Sequence, residues 1–310
     1  MLQQQKNQTR EQPTFAHTLS LLGFGFTGML LISFFAYSIV VRLLGILGVR
    51  YNMDLMILLN DVCIYGLGLP VLLAVGGLIP DGAALPLRPK RTVSPKLFAK
   101  FACVGYAGLY IASFVTSLIL MVVRIFMGQS PVDNTMGEMI EAMSPLASLI
   151  LVAILPAVLE ELVFRAYLYK KLIRFGELPY IVLSGFFFAT YHTNFDQFLY
   201  AFVMGCWAAY MLCRTGTALY GMMLHLLINF YSSNIITEVL GSDIAATLLG
   251  WLMLAVVVVG VVFFVRMSRN LFVRRSEQTP TSAMVQKAIV SPGMIIWLLV
   301  FLGMGVYAFL

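Results

Sequence analysis

The chain has 310 residues, 60% of them hydrophobic and only 11% charged, with a mean hydropathy of +0.91. A soluble domain carries about 25% charged residues, so this composition excludes a water-soluble enzyme and indicates a polytopic membrane protein with the lipid bilayer as its first partner. The net charge of +6 then reads as Lys and Arg kept in cytoplasmic loops; no nucleic-acid partner is expected.

The N-terminal stretch, MLQQQKNQTREQPTF, is polar and lacks the short apolar region and small-residue cleavage site of a removable signal. A spanning helix needs about 20 mostly apolar residues. That rule places candidate spans near 19–44, 55–79, 99–127, 145–168, 179–193, 196–213, 217–236, 247–268 and 292–310. The expected fold is all-α, a polytopic transmembrane helical bundle of about eight or nine helices. The fifth candidate is short for a span, so its helix is expected to continue into or past His192. No connection is long enough for a soluble domain, and no internal repeat supports an inverted-repeat transporter.

Basic residues alternate with the spans. Lys6 and Arg10 precede the first; Arg88, Lys90, Arg91, Lys96 and Lys100 lie between the second and third. Lys170, Lys171 and Arg174 follow the fourth, Arg214 follows the sixth, and Arg266, Arg269, Arg274, Arg275 and Lys287 precede the last. The other connections hold Asp133, Glu138, Glu141, Glu238 and Asp243, with Arg50 the exception. This pattern predicts a cytoplasmic N-terminus, nine crossings and an external C-terminus, and every basic cluster is explained by topology alone. Cys63, Cys103, Cys206 and Cys213 fall in apolar segments without a C-x-x-C pair, and are read as small hydrophobes.

Ionisable groups inside the bilayer are costly, so each is a functional candidate. Glu161 and Arg165, four apart on the fourth helix, form a pair that can neutralise itself. Glu160 points about 100° away and needs a partner from another helix. Pro156 cannot donate to the Val152 carbonyl, which leaves a kink and a free acceptor. His192 ends GFFFATYH on the fifth helix, and His225 with Asn229 share one face of the seventh. Bland explanations exist for each: an ion pair, a structural histidine, a helix-to-helix hydrogen bond. Asn60 and Asp61 on the second helix, with Arg42 near the end of the first, read as a structural polar contact or a support for the site.

Depth separates these explanations. Glu160 lies ten residues before Lys170, His192 thirteen after Pro179 and His225 eleven after Arg214. At ~1.5 Å per residue they lie roughly 15, 20 and 17 Å from the cytoplasmic edge. A carboxylate and two imidazoles at one level allow two chemistries. Glu160, His192 and His225 would hold Zn²⁺ with a position open for water. Alternatively, without a metal, Glu160 is the general base, His192 shares the water, and His225 and Asn229 donate to the tetrahedral oxyanion. The second accounts for Asn229, a poor zinc ligand.

The runs E-E-x-x-x-R (Glu160, Glu161, Arg165), F-x-x-x-H (Phe188, His192) and H-x-x-x-N (His225, Asn229) together resemble the CPBP family. That family comprises CAAX prenyl endopeptidases and bacteriocin-processing or immunity proteins, and is also called Abi. Phe198 and Gly205 fall where the family has a looser element. The resemblance implies an intramembrane glutamic endopeptidase (a peptidase hydrolase) whose site opens to the cytoplasm or inner leaflet. Glu160 and His192 would activate water, His225 and Asn229 would hold the oxyanion, and Glu161, Arg165 and Phe188 would support them, with no cofactor required. It further implies a membrane-associated protein or peptide as substrate, prenylated or a bacteriocin-like precursor. The organisation expected is a cytoplasmic tail (1–18), N-terminal membrane helices (19–127), a catalytic core (145–236) and C-terminal membrane helices (247–310), in a bacterial plasma membrane. Two rival functions stay open: a non-enzymatic immunity or regulatory partner, and a proton-coupled transporter.

Overall fold

The computed structural model describes residues 13–81, 92–130, 135–233 and 243–309. Lys6, Arg10, Arg88, Lys90, Arg91, Asp133 and Glu238 of the topology pattern lie outside them. Thr14 opens α1 (Phe15–Ile46), its hydroxyl accepting the His17 N–H at 3.2 Å, which satisfies a donor that a helix start leaves orphaned. Asn52 and Ser94 cap α2 (Met53–Gly76) and α3 (Pro95–Phe126) in the same way. There follow α4 (Thr135–Glu141), α5 (Pro145–Phe175), α6 (Glu177–Tyr191), α7 (Phe195–Thr215) and α8 (Leu219–Ser232). The chain closes with α9 (Asp243–Ser268), α10 (Ser282–Ile289) and α11 (Pro292–Phe309). All regular structure among the described residues is helical.

Seven helices, α1, α2, α3, α5, α7, α9 and α11, are long and apolar enough to cross a membrane. The expected spans 179–193 and 217–236 are helices of 15 and 14 residues, α6 and α8. At ~1.5 Å per residue neither covers the ~30 Å hydrocarbon thickness. The expected continuation of the fifth helix past His192 is not found. Thr193 takes a left-handed backbone, φ +48°, and the Asn194 side chain accepts the Asp196 N–H at 2.7 Å to start α7. That reversal sets His192 at the turn between two helices.

Small residues decide how closely α6 and α7 pack. A Cβ on Gly205 would lie 2.8 Å from the Gly185 Cα, so the two helices meet at their glycines, with Ala209 fully buried on the same helix. Behind them stands α11: Trp297, wholly buried, has its ring 5.5 Å from Phe26 and 6.3 Å from Phe187. Its indole N–H donates to the Thr190 hydroxyl at 3.0 Å, pinning the last turn of α6.

The topology-only account of the basic residues needs correction. Lys171 is buried, donating to the Ile79 carbonyl at 2.8 Å and pairing with Asp81 at 2.7 Å. Arg174 is buried against Thr18. Arg214 and Arg274 both reach Glu177, which is fully buried at the start of α6. These cations stay near the end of the bundle, where a topology signal puts them, but the buried Glu177 also requires Arg214 and Arg274. Arg42 is exposed, and no ion pair joins it to Asp61 among the described residues, so the expected contact is absent. The four cysteines are free thiols, Cys63 and Cys213 buried and the other two half-buried.

Candidate active site

The site forms where α5 departs from regular α-helix. A π-helical turn at Ser148–Ile154 precedes Pro156, and a second at Glu161–Tyr167 begins directly after Glu160. Such turns strand carbonyls and recur at functional sites. Here α6 ties down the second turn: the Ser184 hydroxyl donates to the Phe164 carbonyl at 2.7 Å, and the Tyr180 hydroxyl to the Arg165 carbonyl at 3.1 Å.

Glu161 and Arg165 pair at 3.1 Å, both fully buried. The pair is not self-contained, however. Glu161 Oε1 also accepts from His225 Nδ1 at 3.2 Å, while Glu160 Oε2 lies 3.9 Å from Nε2 of the same ring. The adjacent glutamates diverge around α5, and the His225 imidazole inserts between them. Gly221, one turn earlier on α8, makes this fit possible, since a Cβ there would stand 2.6 Å from Glu161 Oε2. A carboxylate can only accept, so Nδ1 of His225 carries a proton.

His192 is fixed differently. Its Nδ1 donates to the Phe188 carbonyl at 2.8 Å, which leaves Nε2 as an acceptor in the neutral ring. Phe188 serves both imidazoles as an edge-on wall, with centroids 4.8 Å from His192 and 5.7 Å from His225. The Arg165 guanidinium covers the Phe188 ring at 4.2 Å, within the range of a cation–π contact. Asn229 donates through Nδ2 to the Val152 carbonyl at 3.0 Å, the acceptor that Pro156 leaves free.

One cavity of about 480 Å³ is bordered by Glu160, His192, His225 and Asn229, together with Phe188 and Pro156. Glu161 and Arg165 are absent from its lining, behind His225 and Phe188. Two further groups come from α2: Tyr65, which sequence reasoning missed, and Asp61, which it read as a structural polar contact or a support for the site. The Tyr65 hydroxyl donates to Glu160 Oε1 at 3.3 Å, and Asp61 lines the same cavity. A tyrosine in an apolar run carries no sequence signal, whereas Asp61 did stand out as an acid in a membrane helix. Among the described residues no three His, Cys, Asp or Glu side chains are grouped to hold a metal ion.

Fold and site together define a polytopic helical membrane protein with a buried carboxylate–imidazole centre. Residues 142–231 match the family described as Rce1-like, type II CAAX prenyl endopeptidase Rce1-like, and form a domain consistent with the CPBP family. No curated protein and no solved structure matches the chain. The matched segment, less than a third of the chain, and the seven apolar helices point to an integral membrane protein that contains a region similar to CAAX-type intramembrane proteases.

Proposed function

We propose that the protein hydrolyses a peptide bond of a membrane-associated protein or peptide, using water activated by Glu160 and His192. The observation that carries this reading is the shared cavity, in which Glu160 and the acceptor nitrogen of His192 meet two potential oxyanion donors. Glu160 takes a proton from water as its oxygen attacks the scissile carbonyl, a role worth about 10²- to 10⁴-fold in rate. His192 accepts the water's second hydrogen bond and orients it.

The oxyanion role sets conditions on its donors. With Nδ1–H committed to Glu161, His225 donates to an oxyanion only if Nε2 is protonated too, so it acts as an imidazolium. Asn229 has two amide protons; Val152 holds one, which aims the other into the cavity. Glu161, Arg165 and Phe188 position these groups without touching the reacting atoms. The substrate is a membrane-anchored chain of CAAX or leader-peptide type, processed in a bacterial plasma membrane with the N-terminus of the enzyme cytoplasmic.

The test is cleavage of a membrane-anchored peptide by the purified full-length chain in proteoliposomes. Activity that survives a chelator is expected. Activity lost to the chelator and restored by Zn²⁺ overturns the metal-free mechanism. A chain that cleaves nothing, with a cellular phenotype that Glu160→Ala leaves unchanged, favours a non-enzymatic membrane partner.

A further inference from the structure

Asp61 is the one acid of the cavity wall that the mechanism above leaves unused. It lies on α2, outside the family-matched residues 142–231, directly before the π-helical turn Val62–Gly68 that presents Tyr65 to Glu160. Its side chain is 8% exposed and borders the 480 Å³ cavity. Its Oδ2 atom is buried without a hydrogen-bond partner, and no Lys or Arg pairs with it among the described residues. An ionised carboxylate in that setting lacks compensation.

The groups around it sharpen the point. Glu160 from α5, His192 from α6, Tyr200 from α7 and His225 from α8 border the same cavity, and Tyr65, on the helix of Asp61, reaches Glu160. Glu160 borders the same cavity and accepts from Tyr65, which stands four residues after Asp61 on α2. Two carboxylates in one low-dielectric cavity do not both ionise. Glu160 has the Tyr65 hydroxyl and the His225 ring to stabilise its charged form, while Asp61 Oδ2 has neither.

We propose that Asp61 is the general acid of the site, holding the proton that the Asp61–Glu160 pair retains and delivering it to the nitrogen of the scissile amide. The inference rests on the endopeptidase reading above. Glu160 removes one proton from water as the new C–O bond forms and the carbonyl electrons move to the oxyanion. As the oxyanion collapses, the C–N bond breaks with its electron pair on nitrogen, and the Asp61 proton completes the leaving amine. The enzyme is left with Glu160 protonated and Asp61 ionised, and transfer of that proton from Glu160 to Asp61 restores the starting state. Water and amide are consumed, acid and amine are formed, and no other reactant is required.

Two measurements on the full-length protein in proteoliposomes test this. In peptide cleavage, Asp61→Asn should lower kcat by about 100-fold or more, leave KM unchanged and erase the alkaline limb of the kcat–pH profile. Asp61→Glu, which restores the acid, should recover part of the rate and the limb. Independently of turnover, the infrared stretch of a protonated carboxyl should be present at neutral pH in the wild type and lost in Asp61→Asn. Wild-type kcat and pH profile in Asp61→Asn overturn the assignment, as does a carboxyl band that this substitution leaves unaltered. If the wild type cleaves no peptide while the band behaves as expected, the endopeptidase reading falls and the shared proton stands.

Discussion

Helix α6 carries a buried acid cluster at each end, and the two are compensated differently. At its start Glu177 is fully buried and accepts from the Arg274 backbone N–H at 2.8 Å, from Arg274 Nε at 2.6 Å and from the Arg214 guanidinium. At its end His192 faces the cavity with Glu160, whose contacts are a tyrosine hydroxyl at 3.3 Å and an imidazole at 3.9 Å. Two fixed cations saturate Glu177, and it clips the segment after α9 onto the bundle. Glu160 meets no Arg or Lys among the described residues, and it looks into open space. A saturated carboxylate holds structure, whereas an unsaturated one at a cavity wall keeps its capacity to take a proton.

Substitution should separate the two ends. Glu160→Gln should reduce peptide cleavage by about 10²- to 10⁴-fold with little change in thermal stability, measured as initial rate per folded protein. Glu177→Gln should do the reverse. It leaves Arg214 and Arg274 facing a neutral amide, a loss of roughly 3–5 kcal/mol that denaturant titration in detergent would detect, while rate per folded molecule stays near wild type. Asn229→Ala should cost about 10²- to 10³-fold in kcat, the usual worth of an oxyanion donor, with a small added loss of stability from the orphaned Val152 carbonyl. The smallest expected effect is that of Gly221→Ala. The methyl group collides with the Glu161 carboxylate, and overpacking of this kind costs about 1–3 kcal/mol, read as a lowered melting temperature.

Different physical reasons made parts of the molecule legible in its sequence. Glu160, His192, His225 and Asn229 were conspicuous because polar side chains in apolar helices are expensive, and their spacing from loop charges put three of them at one depth. The order of the long helices followed from apolar run length, whereas the short helices α4 and α10 left no such run. The stopping point of α6 did not, because Thr193 in a left-handed backbone has no local signature such as glycine. Pairing Glu161 with Arg165 alone overlooked His225, since a four-residue spacing describes one helix and says nothing of the ring inserted from α8. Tyr65 and Gly221 were invisible for a related reason. A tyrosine or glycine becomes informative only when another helix is seen against it, and the basic residues around Glu177 likewise looked like loop charges until their acid partner was found buried.

The contrast between the two ends of α6 is tested most directly in one assay. Wild type, Glu160→Gln and Glu177→Gln are reconstituted side by side, and cleavage of a membrane-anchored peptide is normalised to folded protein. The account predicts near wild-type rates for Glu177→Gln and at least about a 100-fold loss for Glu160→Gln. Equal rates for wild type and Glu160→Gln would contradict it.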